Sequence, residues 1–327
     1  MIFVPDFYKK FKCIADKCAD SCCIGWEIDV DGTALEKYSK LAGKLGEKLK
    51  RCICQDSDSA HFILEGERCP FLRADNLCEI IAELGEGYLC DICREHPRYY
   101  SVFKSFAIGG VGLCCEAAAK LILTETMPHT YIERTANDIE PEECDAEIFE
   151  KSCSIKKTFV DILSENSASL KEKLQRILAL ANEYQRELDG EDSTCDASPE
   201  VLLKDYFDGL EHLDGELCRL LSKVKAEQVA TASELSAYLC NICIYFIDRY
   251  LLDAAYDGNF LGRAVLAILS TCVIGMLFEA EGLPNLCRAV EIAKCYSKEI
   301  EYSEENIERI TTDSAALILA ERMLRQE

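Results

Sequence analysis

Four cysteines crowd into the stretch "CIADKCADSCCIGW": Cys13, Cys18, Cys22 and Cys23. Thiolates are soft ligands, and a loop that already holds several of them lowers the chain entropy lost on gathering them around a metal. The spacing C-x4-C-x3-C-C is not the C-x2-C knuckle of a zinc finger. It is not the C-x3-C-x2-C of radical enzymes either, because Cys23 follows Cys22 directly. Neighbouring side chains diverge in regular structure, so both could ligate only from an irregular turn. The alternative is that one ligates while the other packs or serves a second centre.

A second group is spread further along: Cys69 in "RCPFL", Cys78 in "NLCEI", Cys90 and Cys93 in "LCDICREHPR", Cys114 and Cys115 in "GLCCEAAAK". Cys90-x2-Cys93 has chelate spacing and is the strongest single pair. The two groups supply enough thiols for one closed four-sulfur site with several to spare, or for two sites. Other sulfurs have plainer readings. Cys240-x2-Cys243 sits in the apolar run "YLCNICIYFI", where a thiol packs as a small hydrophobe. Cys52 and Cys54 favour no ligation. His96, before Pro97, reads as a cap or a solvent-facing side chain, and Trp26 as a core residue beside the double cysteine. Arg94 and Arg98 could grip a carboxylate or phosphate of a cofactor, or neutralise the thiolates.

The chain around these thiols has 327 residues, 49% hydrophobic and 29% charged, a globular composition with room for two domains. Its start, "MIFVPDFYKKFKC", lacks the basic flank and long apolar core of a secretory signal. The expected compartment is therefore the cytoplasm, where disulfides rarely persist and clustered cysteines more often bind metal. The longest uncharged run, 264–278, is short for a bilayer and reads as a buried helix. Of the 21 cysteines, 12 fall before residue 116. Charge is uneven: residues 1–120 carry 16 Lys+Arg against 19 Asp+Glu, and the remainder 20 against 40. A body with a net charge of −20 repels nucleic acid and anionic membranes and attracts a lysine-bearing protein. No nucleic-acid partner and no membrane insertion are expected.

Elements are short and punctuated to about residue 125. Asp31 or Thr33 caps an early helix, and Pro128 ends one over 117–123. An acidic connector follows over 137–147. Beyond it apolar residues recur at three- and four-residue steps, with a loop at 188–200 and helices at about 200–224, 232–256, 259–281, 285–299 and 304–325, the last capped by Ser303. Strand signals are weak. The expected fold is mainly α: residues 1–125 a cysteine-rich metal-binding region of short irregular elements, and residues 126–327 an acidic all-helical, bundle-like domain. There is no G-x-G-x-x-G, no P-loop and no H-E-x-x-H, so a doubly wound nucleotide domain and a histidine-based hydrolase are not supported.

The segments "FKCIADKCADSCCIGWEIDVDGTALEKY", "RCPFL", "LGEGYLCDICREHPR" and "LCCEAAAKLIL", in that order, resemble the flagellin lysine-N-methylase family, over about residues 8–125. That family is grouped with zinc- or iron-chelating proteins bearing a CxxCxxCC-like signature. The resemblance implies a cytoplasmic, mainly helical enzyme that moves methyl from S-adenosylmethionine to surface lysines of flagellin and carries a [4Fe–4S] cluster. It implies as metal-site cysteines Cys13, Cys18, Cys22, Cys23, Cys69, Cys78, Cys90, Cys93 and Cys115, with no choice of four among them. The chain departs from the family pattern at Cys114 and Glu116, where a small polar residue and a proline usually stand. Two other readings compete: a non-catalytic zinc- or iron-binding interaction module, and a redox protein using the cluster or the Cys90/Cys93 pair.

Overall fold

A computed structural model describes the chain except residues 1, 26, 57–58, 105, 126–130, 135–142, 191–201, 214, 226–232 and 326–327. The expected places of Trp26 and Pro128, and most of the 137–147 and 188–200 segments, lie outside the described residues.

Strand β1 (Ile2–Pro5) opens the chain. Helices α1 (Gly32–Ser39) and α2 (Gly43–Arg51) follow, then the short hairpin of β2 (Ile53–Gln55) and β3 (Ala60–Phe62), then α3 (Glu79–Leu84) and α4 (Asp91–Glu95). Next come β4 (Arg98–Phe103), β5 (Phe106–Val111), α5 (Glu116–Thr124) and β6 (Tyr131–Arg134). The rest is helical: α6 (Ala146–Ser164), α7 (Leu170–Asp189), α8 (Leu203–Asp208), α9 (Glu216–Leu221), α10 (Ser233–Tyr250), α11 (Ala254–Asp257), α12 (Phe260–Ala280), α13 (Leu286–Glu301), α14 (Glu304–Thr312) and α15 (Ser314–Leu324). The protein is mainly helical with a few short strands, as its apolar periodicity indicates.

The chain divides into two compact units. One holds Lys12–Tyr99 and Cys115–Ala117; the other holds Met1–Phe11, Tyr100–Cys114 and Ala118–Glu327. The division is not a single cut at residue 125, and β1 supplies the reason. It pairs in parallel with β5, Ile2 opposite Ala107, and antiparallel with β6, Ile2 opposite Arg134, in a sheet ordered β4-β5-β1-β6. Sheet pairing thus draws the first residues into the helical unit. These strands were the elements that sequence patterning missed.

Within the helical unit, α12 is the core helix. Every residue from Ala264 to Phe278 is buried, which is why this segment is apolar on all sides rather than amphipathic. It meets α7, α10, α13, α14 and α15. Its start needs a glycine: a Cβ on Gly262 would lie 1.8 Å from the Thr311 carbonyl oxygen of α14. Asn259 ties the same corner, its Oδ1 accepting from the Gly262 N–H and its Nδ2 donating to Thr311 O, both at 2.9 Å.

Charges in this unit are buried in partnered sets. Lys156 of α6 lies 2.9 Å from Asp248 of α10, and the Tyr131 hydroxyl donates to the same carboxylate at 2.6 Å. Glu301 accepts from Ser297 at 2.5 Å, Tyr245 at 2.8 Å and Tyr250 at 2.9 Å, and pairs with Arg249 at 2.8 Å.

His212 Nδ1 stands 2.9 Å from the buried Glu299 carboxylate. Burial pulls His212 down, but the bonds to Glu299 and to the Asp208 carbonyl outweigh it and raise the imidazole above its ordinary value. A raised folded value contributes stability that is complete below the unfolded value of 6.5 and is lost as pH rises through the folded one. Thermal unfolding is therefore expected to show a midpoint that falls between about pH 6 and about pH 8 by more in the native chain than in His212→Gln.

Candidate metal centre

The thiol-bearing unit is built on its own small core of Ile28, Tyr38, Leu49, Phe62, Phe71 and Ile80, with Cys69 and Cys90 buried among them. Residues 23–25 run antiparallel to 67–69. The Cys69 N–H donates to Cys23 O at 2.8 Å, and the Gly25 N–H donates to Glu67 O at 2.9 Å. Gly25 takes φ +90°, a turn conformation that a side chain would strain. This pairing sets Cys23 beside Cys69. A tight reversal through Asn76, at φ +60°, then returns the chain so that Leu72 bridges Cys78. Asparagine tolerates this left-handed conformation better than other residues with a side chain. Cys78 is the N-cap of α3 and Cys90 the N-cap of α4, with Cys93 on the first turn of that helix.

The sulfurs gathered this way act on one another. Cys22 is exposed yet hydrogen-bonded to Cys23, and that bond pushes its thiol up. Cys23 is pulled down by Cys22, but its bond to Cys69 and its burial prevail and bring it to about 12. Cys69, receiving the Cys23 hydrogen bond, sits below its ordinary value. The Cys93 thiol bonds to Cys90, lowering Cys90 and raising Cys93. Cys78 is raised, first by burial, and feels Cys22 and Cys90. Cys69 and Cys90 are thus the thiols readied to become anions, each with a protonated neighbour donating to it.

Six of the nine cysteines implied by the family resemblance converge here: Cys22, Cys23, Cys69, Cys78, Cys90 and Cys93. The other three are Cys13, Cys18 and Cys115. Cys13 is exposed and accepts from the Ala15 N–H at 3.4 Å. Cys18 donates to Glu116 Oε2 at 3.7 Å. Cys115 is half-buried just before α5. Cys114 is buried and belongs to the helical unit, while Cys115 and Glu116 belong to the thiol unit. Glu116 also accepts from the Ala19 N–H at 2.9 Å, so the residue that departs from the family pattern pins the opening cysteine loop.

Arg94 pairs with Asp91 at 2.5 Å and with Glu95 at 3.4 Å, and Arg98 donates to the Arg94 carbonyl at 3.3 Å. His96 is the C-cap of α4. Cys52 caps α2 and Cys54 is exposed on β2. Cys240 and Cys243 are buried in α10, as packing residues should be.

Two residues that patterning did not single out as part of the site help to shape it. Tyr38 is buried beside Cys90 and Cys93, and its hydroxyl donates to Tyr88 O at 2.6 Å. Asp31 was legible as a cap, but its carboxylate also accepts from the Asp91 N–H, 60 residues onward, at 2.8 Å.

Among the described residues no three Cys, His, Asp or Glu side chains stand in the arrangement of a formed metal site. The thiols hydrogen-bond to one another instead. The donor set nevertheless fits a thiophilic centre in its chemistry: six soft sulfurs, each interacting with at least one other of the set, two of them lowered below the ordinary thiol value.

Known proteins show similarity to the chain. The Salmonella typhimurium protein named Lysine-N-methylase is 30% identical over 145 residues, which is 40% of this chain and 34% of that protein. A Lysine-N-methylase of Salmonella choleraesuis matches to the same extent. The Flagellar biosynthetic protein FliU of Salmonella muenchen is 31% identical over 135 residues, covering 37% of this chain and 76% of that protein. The chain thus spans about a third of the length of the two methylases it matches. No family model matches the chain, and no solved structure matches it.

Proposed function

This chain belongs to the flagellin lysine-N-methylase family, and from that premise we propose that it is a protein-lysine N-methyltransferase using S-adenosylmethionine, with flagellin or another lysine-bearing protein as acceptor. The observation that carries the reading is the likeness to the two lysine-N-methylases and to FliU. The reading includes a thiolate-held [4Fe–4S] cluster, which the six converging thiols support as candidate ligands: Cys22, Cys23, Cys69, Cys78, Cys90 and Cys93. Held by these cysteines, such a cluster would supply a Lewis-acidic iron to the methyl donor.

The rest falls to the polypeptide. The acidic balance of residues 121–327, 20 Lys+Arg against 40 Asp+Glu, favours approach of a basic acceptor. A lysine ammonium has no lone pair, so the acceptor amine must lose its proton to a carboxylate or in a desolvated site before its nitrogen takes the methyl, the donor's S–C bond breaking and S-adenosylhomocysteine leaving. Each transfer then adds one CH2 to the acceptor's mass.

The test is anaerobic purification with iron, sulfide and zinc analysis, followed by incubation with flagellin and the methyl donor. About four iron and four sulfide per chain, as one cubane requires, and CH2 increments on flagellin lysines are expected. An intact cluster with no transfer overturns flagellin as the acceptor. A colourless protein with stoichiometric zinc overturns the cluster. One observation favours a second reading: Cys90 and Cys93 form a hydrogen-bonded pair at the start of a helix with Cys90 lowered, the arrangement of a redox dithiol. Reversible oxidation of that pair without metal would replace the methylase reading.

A further inference from the structure

Helix α1 carries no cysteine, yet three hydrogen bonds tie it to the strip of chain that delivers Cys90 and Cys93. Lys37 Nζ donates to Gly87 O at 2.8 Å and the Tyr38 hydroxyl to Tyr88 O at 2.6 Å. The Asp91 N–H donates to Asp31 Oδ2 at 2.8 Å, while Asp31 Oδ1 accepts from the Ala34 N–H at 2.9 Å. One carboxylate therefore caps two helices at once. The first is α1 itself. The second is α4, whose N-cap is Cys90 and whose first turn holds Cys93.

A five-residue helix makes too few internal bonds to fix its own orientation. Its start needs a partner outside the helix, because the first N–H groups of a helix have none within it. Tyr38, buried to 1% exposure, anchors α1 in the unit's core, so the α1 end of the clamp is rigid.

We infer that Asp31 is a positioning residue for the thiol cluster: its carboxylate, bridging the N-termini of α1 and α4, sets Cys90 and Cys93 against Cys23, Cys69 and Cys78. Asp31 touches no metal and no substrate. It acts through the backbone of Asp91. The inference rests on the reading of these thiols as metal ligands, though not on what the metal does.

The experiment uses the full chain, reduced and stripped of metal, titrated anaerobically with Co2+ while the thiolate-to-cobalt charge-transfer absorption is followed. Asp31→Asn and Asp31→Ser each keep an acceptor for the Ala34 N–H, so α1 stays capped. Neither keeps the second carboxylate oxygen for Asp91. Cobalt affinity is expected to fall about 10- to 100-fold in both, the range seen when outer contacts of a metal site are lost. The thermal midpoint of the metal-free chain is expected to move little. A merely structural role would shift that midpoint and leave the affinity ratio unchanged.

Asp91→Pro removes the same bond from its donor side, leaves Asp31 capping α1 and suits the first position of a helix, so it is expected to weaken cobalt binding likewise and serves should the Asp31 variants not fold. If the native chain shows no charge-transfer band, the ligand reading fails and this inference with it. If the native chain binds cobalt and Asp31→Asn, or Asp91→Pro in its place, binds within about twofold of it, the positioning role is overturned while the ligand reading stands.

Discussion

A chain carrying Cys90→Ser and Cys93→Ser is expected to bind cobalt or iron more than about 100-fold more weakly than the native protein, beyond what loss of an outer contact costs. It is also expected to transfer no methyl groups. Cys90 is one of two thiols lowered towards the anion, and Cys93 is the donor that lowers it. A hydroxyl neither ionises near neutral pH nor offers a soft electron pair, so the pair is lost as ligands and as a chelate together. The control is built into the chain. Cys240 and Cys243 have the same spacing but lie buried in α10, where burial is the leading cause that raises both thiols. Cys240→Ala with Cys243→Ala should leave metal uptake intact and register only in stability. Metal analysis of both double variants, purified in parallel without oxygen, decides the matter; equal metal content would refute the assignment.

The largest expected effect on the fold is that of Asp248→Ala, a loss of about 3–5 kcal/mol in unfolding free energy. Asp248 is buried and answers both Lys156, at 2.9 Å, and the Tyr131 hydroxyl. Removing it strands an ammonium group that is also buried, and the cost of an unpaired interior charge exceeds the value of the pair itself. Adding Lys156→Met should recover much of the loss, because the stranded charge then goes too. Urea unfolding of the single and double variants provides the measurement. A single variant within about 1 kcal/mol of the native chain would mean that water reaches Lys156.

What could be read from the sequence divides along physical lines. The cysteines, their order and the chelate spacing of Cys90 and Cys93 were plain, because chemistry is carried by residue type. Which of them meet was not, because the meeting depends on the pairing of residues 23–25 with 67–69, a contact across more than forty residues. The cap at Asp31 was legible, being local; its second bond, to Asp91, was not. The long helices α10, α12 and α13 appear close to where apolar periodicity put them. The segment expected as one helix over 304–325 is broken at Asp313, whose side chain caps α15 through the Ala315 N–H. The expected 200–224 helix is two short ones, with Gly215 in the left-handed region at the start of α9. Strands β1 and β5 escaped notice because "IFVP" and "FAIGGV" lack polar alternation, as strands inside a sheet commonly do.

The pairing of β1 has a consequence for how the chain is made. The first strand leaves the ribosome before anything it pairs with, and its antiparallel partner, 131–134, follows more than 120 residues later. Everything belonging to the thiol unit has been synthesised by residue 117. Domains tend to fold as their segments emerge. The thiol unit can therefore form, and take up the metal proposed for it, while the helical unit is still being translated and β1 still lacks its antiparallel partner. If the proposed cluster is what these cysteines hold, iron limitation during synthesis would leave a different product from iron removal afterwards: chains in which the cysteines had no metal to organise them while the remaining helices were being added.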